Sequence, residues 1–128
     1  MAEPLDGKCV LLVDDDPDIV LTMRSLFENL GASVITAGDG DAAVQLALKN
    51  QPDLVVLDAM LPKRSGFLVL EKLKSKRNGD KRMRIIMITG NLGKRHQAWA
   101  ETLGVDDYIN KPFRMDRLMQ SAEKLLGA

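Results

Sequence analysis

Asp53-Leu54-Val55-Val56-Leu57-Asp58-Ala59-Met60-Leu61-Pro62 is the stretch that decides the fold. Leu54 to Leu57 is a short apolar run with β-branched residues at its centre. That composition belongs to a strand buried on both faces, as in a parallel sheet. The run ends on the carboxylate of Asp58, and Pro62 then interrupts regular structure. A charge at the tip of a buried strand has to lie in the mouth of a crevice, because a dry, unpaired carboxylate is strongly unfavourable.

Working outward, Cys9 to Val13 is a second such run, ending at Asp14-Asp15-Asp16. Pro17 suits the first position of a helix, with Asp16 as its N-cap. Ile19, Met23, Leu26, Phe27 and Leu30 recur at helical spacing, and Gly31 supplies the stop. Ala32 to Thr36 reads as a strand, and a helix capped by Asp39 or Asp41 runs on to about Asn50. Beyond Pro62, a loop through Gly66 leads to a helix ending near Lys76, with Phe67, Leu70 and Leu73 inward. Charges around Asn78-Gly79 mark a solvated loop. Ile85 to Thr89 is a further buried strand, followed by a helix from about Lys94 to Leu103. Val105 to Asn110 is the last strand, closed by Lys111-Pro112. A final helix covers about Met115 to Leu126, with Leu118, Met119, Ala122 and Leu125 facing the core. Met1 to Gly7 reads as a loose lead-in.

Five apolar strands therefore alternate with five helices. That pattern predicts an α/β fold: a doubly wound, five-stranded parallel sheet with helices on both faces. Right-handed crossovers favour the strand order 2-1-3-4-5, whose switch point lies between strands 1 and 3. No linker or internal repeat divides the chain, so residues 1–128 are expected to form one domain with a core of about 8–126.

Composition narrows the function classes. Lys+Arg and Asp+Glu both number 18, so the formal net charge is zero. Such a balance gives no support to a nucleic-acid grip or an anionic membrane surface. Cys9 is the one cysteine, within an apolar run, and is expected as a buried inert thiol. No apolar run approaches the roughly 18 residues of a membrane span, and the start carries no leader pattern. A cytoplasmic protein is expected.

The polar groups then fall into place. Asp14 and Asp15 follow strand 1, Asp58 ends strand 3, Thr89 ends strand 4 and Lys111 follows strand 5. All lie at the carboxyl edge, where open α/β sheets bind ligands. Crowded carboxylates repel one another unless a cation sits among them. Mg²⁺ suits oxygen ligands and keeps some water, so two carboxylates and a carbonyl make an open site for phosphoryl chemistry. In such a site Lys111 offers a fixed positive charge and Thr89 a hydroxyl donor. A carboxylate can itself act as the nucleophile and become an acyl phosphate.

With these pieces in order, the chain resembles the receiver domains of bacterial two-component response regulators, chemotaxis regulators among them. The matching stretches are Leu-Leu-Val-Asp-Asp-Asp at 11–16, Leu-Asp-Ala-Met-Leu-Pro at 57–62, Ile-Thr-Gly at 88–90 and Asp-Asp-Tyr-Ile-Asn-Lys-Pro-Phe at 106–113. The resemblance implies a flavodoxin-like (βα)5 fold in which Asp58 is the phosphoacceptor. It implies that Asp14, Asp15 and Asp58 hold Mg²⁺ with the backbone carbonyl of Met60, Asp14 through water. Thr89 and Lys111 match the phosphoryl-binding pair, Tyr108 the aromatic that follows the threonine, and Pro112 a cis proline. Implied partners are a sensor histidine kinase or histidine-phosphotransfer protein and a downstream protein, engaged through the helix 4, strand 5, helix 5 face. The implied role is a signalling phosphoacceptor rather than an enzyme.

Departures from the family pattern are small. Gly90 replaces a common alanine. Met60 and Asn91 occupy the positions that tune dephosphorylation, and apolar Met60 cannot activate water, so hydrolysis is expected to be limited by access. Ser121 stands where winged-helix regulators carry an arginine and Arg117 where they carry an acid. That mode of dimerisation is therefore not expected.

Two competing readings use the same residues. In a haloacid-dehalogenase-like phosphatase, Asp14 and Asp16 would be the catalytic pair, but Pro17-Asp18 replaces the Gly-Thr of that family. A receiver fold that works by interaction alone would not need the full set of Asp14, Asp15, Asp58, Thr89 and Lys111. His96 reads as a solvated surface residue. Trp99 is either half-buried packing or a partner anchor.

Overall fold

The computed structural model describes residues 3–75, 83–90 and 93–127. Its elements are β1 (Cys9–Val13), α1 (Pro17–Asn29), β2 (Ser33–Ala37), α2 (Gly40–Asn50), β3 (Leu54–Asp58), α3 (Gly66–Lys74), β4 (Arg84–Thr89), α4 (Lys94–Thr102), β5 (Asp107–Asn110) and α5 (Met115–Leu125). The five strands form one sheet in the order β2-β1-β3-β4-β5, all parallel, as the alternation requires. The expected end of α3 near Lys76, the Asn78-Gly79 loop and Asn91 fall outside the described residues.

Alternation along the strands sorts the core into two layers. Leu11, Val13, Val55, Leu57, Ile85 and Met87 face one way, beneath α2, α3 and α4. Val10, Leu12, Leu54, Val56, Ile86 and Ile88 face the other, beneath α1 and α5. β3 is buried along its whole length, Asp58 included, which explains its unbroken apolar run.

The helix starts follow from local hydrogen bonds. Asp16 caps α1 by accepting from the Asp18 amide, with Pro17 next to it. Of the two candidates for α2, Asp39 is the cap, accepting from the Ala42 amide. Ser65 caps α3 through the Leu68 amide.

Several expectations need correction. Strand β5 begins at Asp107 rather than Val105, because the Val105 amide donates back to the Ala100 carbonyl and finishes α4 instead. The lead-in is not loose: Leu5 is fully buried and its amide donates to the Leu30 carbonyl. Met119 is only partly buried, while Ser121 turns inward and donates to Asp107. Cys9, at the first position of β1, is half-buried rather than buried. His96 is exposed, yet its ring lies against Phe67 at 5.6 Å. Trp99 is exposed, at 42%, and one face of its ring stacks on Phe67 with ring centroids 4.6 Å apart. Among the described residues, no helix is long and apolar enough to cross a membrane.

Candidate functional site: an acidic cluster with one lysine

Neighbouring strand tips at the carboxyl edge carry the site. The Asp14 amide donates to the Ala37 carbonyl of β2, which holds the residue just past β1 in place. Its carboxylate accepts from the Asp16 amide at 2.9 Å. On β3, the Ala59 amide donates to the Ile88 carbonyl of β4, and the Met60 amide donates to the Asp58 carboxylate at 3.1 Å. The loop after Pro62 then returns, and the Gly66 amide donates to the Ala59 carbonyl. A Cβ on Gly66 would lie 2.2 Å from the Asp58 carbonyl oxygen, so only glycine lets α3 start this close to the acidic tip. The Lys111 amide donates to the Thr89 carbonyl and so ties the loop after β5 to the tip of β4.

These anchors converge the charges. One carboxylate oxygen from each of Asp14, Asp15 and Asp58 falls within 4.8 Å of the others. Asp14 and Asp58 are 3% and 5% exposed, and Asp15 is open to solvent. The Lys111 ammonium reaches the edge of the cluster, 3.4 Å from Asp14 and 3.6 Å from Asp58. It is the one cation paired with these three carboxylates among the described residues. Burial pushes the Asp58 carboxyl above its ordinary value of 3.8, against the Met60 amide, which lowers it. The negative charges of Asp14 and Asp15 push it up further, and Lys111 only partly offsets them. Three oxygens with excess negative charge and a single ammonium are a fit donor set for a hard divalent cation.

The remaining predicted residues lie around this centre. Thr89 is fully buried at the end of β4, and its hydroxyl donates to the Gly90 carbonyl at 2.7 Å. Tyr108 sits on β5 opposite Met87, with its hydroxyl buried and without a hydrogen-bond partner among the described residues. The Lys111–Pro112 bond is cis, as the resemblance implies. Asp16, needed by the phosphatase alternative, is an exposed helix cap. Sequence reasoning missed the apolar hollow beside the lysine, lined by Ile19, Pro112, Phe113 and Met115. Phe113 directly after Lys-Pro was the available signal. It also missed the strapping of the Pro62–Gly66 loop onto α2 by the pairs Arg64–Asp41 and Lys63–Asp39.

An open parallel sheet with acidic tips and a lysine at its switch point defines a class: α/β proteins that handle cations and phosphoryl groups at the carboxyl edge. Comparison with known proteins narrows it. The response regulator receiver domain family matches residues 10–123. The alkaline phosphatase synthesis transcriptional regulatory protein PhoP of Bacillus subtilis is 39% identical over 107 residues, 84% of this chain and 43% of that protein. The transcriptional regulatory protein TcrX of Mycobacterium tuberculosis is 36% identical over 117 residues, 91% of this chain and 49% of that protein. The chain thus spans about half the length of these curated relatives. The receiver domain of sensor histidine kinase PA1611 from Pseudomonas aeruginosa, solved with a magnesium ion in its active-site cleft, superposes with a TM-score of 0.83. It is 28% identical and covers 95% of this chain and 99% of that one. The chain belongs to the response regulator receiver domain family, the phosphoacceptor modules of two-component signalling.

Proposed function

We propose that Asp58 is the phosphoacceptor of this receiver and that Asp14, Asp15, Asp58 and the Met60 carbonyl hold Mg²⁺ beside it. The observation that carries the reading is the Lys111 ammonium within 4 Å of both Asp14 and Asp58 in a cluster too acidic for one cation to neutralise. A carboxylate oxygen of Asp58 attacks phosphorus, the bond from phosphorus to the donor breaks, and an acyl phosphate forms. Mg²⁺, when bound, offsets the charge on the phosphoryl oxygens. Lys111 donates to one of those oxygens. Thr89 turns from the Gly90 carbonyl to donate to another, which frees space beside Tyr108.

In this reading the donor is a sensor histidine kinase or a histidine-phosphotransfer protein. The added charge of roughly −1.5 to −2 shifts a two-state equilibrium of the face formed by α4, β5 and α5. Tyr108 takes part from a buried starting point, because its hydroxyl already lies inside, unpartnered among the described residues. A downstream protein reads that face. Residues 1–128 act as one cytoplasmic receiver unit that turns over no substrate and grips no nucleic acid itself. The zero net charge supports the last point.

The test is phosphorylation with acetyl phosphate and Mg²⁺, followed by intact mass. The wild type is expected to gain one phosphoryl group and Asp58→Ala none. Equal uptake by the two proteins, or none by the wild type, overturns the assignment.

A further inference from the structure

Met60 is unusual among the methionines. Met23, Met83 and Met87 are buried, and Met115 and Met119 are partly buried. Met60 is 63% exposed, and no other described methionine is in the exposed class. A thioether in water is open to two-electron oxidants, whereas one packed in a core is shielded. Its location gives that exposure a consequence. The Met60 amide is bonded to the Asp58 carboxylate, which holds the residue at the mouth of the acidic cluster. Its flexible side chain has three rotatable bonds with which to reach the group carried on Asp58.

We propose that Met60 is an oxidation site and that its conversion to the sulfoxide shortens the life of the phosphoryl group on Asp58. The inference rests on Asp58 being the phosphoacceptor. The co-substrate is an oxidant of the peroxide class. The sulfur lone pair takes one oxygen of hydrogen peroxide, the O–O bond breaks, and the proton on the transferred oxygen passes to the departing hydroxide, which leaves as water. Sulfur is oxidised by two electrons and the peroxide is reduced by two. The thioether is apolar and offers water no strong hydrogen bond. The sulfoxide oxygen is a strong acceptor, so it recruits and orients water beside the acyl phosphate that such water hydrolyses. Oxidation therefore links the duration of the phosphorylated state to oxidant exposure, and reduction of the sulfoxide resets it.

The experiment treats the full chain with hydrogen peroxide and maps the oxidised methionines by peptide mass. Met60 is expected to gain oxygen before Met115 and Met119. Reduced and oxidised proteins are then phosphorylated with acetyl phosphate and Mg²⁺, the donor is removed, and loss of the phosphoryl group is followed. The oxidised protein is expected to lose it roughly fivefold faster, the factor one ordinary hydrogen bond contributes. Methionine sulfoxide reductase restores the slower rate. The Met115→Leu/Met119→Leu double variant keeps the response, and Met60→Leu shows the same half-life before and after peroxide. Oxidation of Met115 or Met119 ahead of Met60 overturns the inference, as does a half-life that oxidation leaves equal or longer. If the reduced protein takes up no phosphoryl group, the assignment of Asp58 fails and this inference falls with it. If uptake is normal and the half-life is insensitive to oxidation, only the role of Met60 is lost.

Discussion

Asp106, just before β5, and Asp58, at the end of β3, occupy opposite edges of one sheet and have opposite surroundings. At the amino edge Asp106 accepts from the Lys74 ammonium at 2.7 Å, the Ile85 amide at 2.7 Å and the Arg84 guanidinium at 3.4 Å. Its neighbour Asp107 accepts two bonds from Arg117 and one from Ser121. At the carboxyl edge three carboxylates share one lysine. Burial raises Asp107 too, but the bonds from Arg117 and Ser121 outweigh it and hold its carboxyl below the ordinary value. Asp58 ends above it. The same residue type is thus satisfied where its partners are complete and left with excess negative charge where they are short. The shortage is of positive charge, which a divalent cation can fill.

The comparison breaks most visibly at the amino edge. Asp106→Ala leaves Lys74, Arg84 and the Ile85 amide without their shared acceptor, and is expected to destabilise the fold by about 3 kcal/mol in urea unfolding. A loss below about 1 kcal/mol would mean that this network is ornamental. Next in size is the response to Mg²⁺. At a hundredfold excess over its dissociation constant the ion is expected to stabilise the wild type by about 2.7 kcal/mol. Thermal unfolding with and without MgCl2 measures this, and Asp14→Asn/Asp15→Asn is expected to abolish the shift while Asp106→Asn keeps it.

A smaller change sharpens the contrast from the other side. Asp58→Asn removes a charge that folding disfavours, so in the absence of metal it is expected to raise stability at neutral pH. Because the folded carboxyl titrates above 3.8, the wild type loses stability as pH rises from that value through the raised one. The gain of the variant is therefore full above that window and disappears as pH falls through it. Arg117→Ala is the smallest effect, a loss of about 0.5–1 kcal/mol, since the pair is partly open to solvent. Its sign with pH is the reverse. Asp107 titrates below 3.8, so the stabilisation is present above that value and is lost as pH falls through the depressed one. Urea midpoints of the two variants across the acid range check both signs together.

Most of the architecture was legible along the chain because it depends on local or periodic signals. Apolar runs of four or five residues mark buried strands, Asp16-Pro17 marks a helix start, and alternation with helices forces parallel pairing. The acidic tips and Lys111 were legible for the same reason, since each ends or follows an apolar run in a fold whose ligand edge is known once the order is known. What escaped depends on distant partners. Leu5 reads along the chain as part of a loose lead-in, yet it is buried against the α1 side of the sheet. Ser121 reads only as a departure from the arginine of winged-helix regulators, and its bond to Asp107, fourteen positions earlier, is not foreseen. The Phe67–Trp99–His96 group joins residues from two helices that no single periodicity links.

The sequence by itself determined the strands, the helices, their alternation, the doubly wound sheet and the roster of acidic, hydroxyl and ammonium groups at its carboxyl edge. Hydrophobic periodicity and capping act over a few residues, so a linear reading can recover them. Only the tertiary structure decided which carboxylate is strained and which is satisfied. Electrostatic environment is a sum over neighbours from different strands and helices, and Asp58 and Asp107 differ in that sum alone.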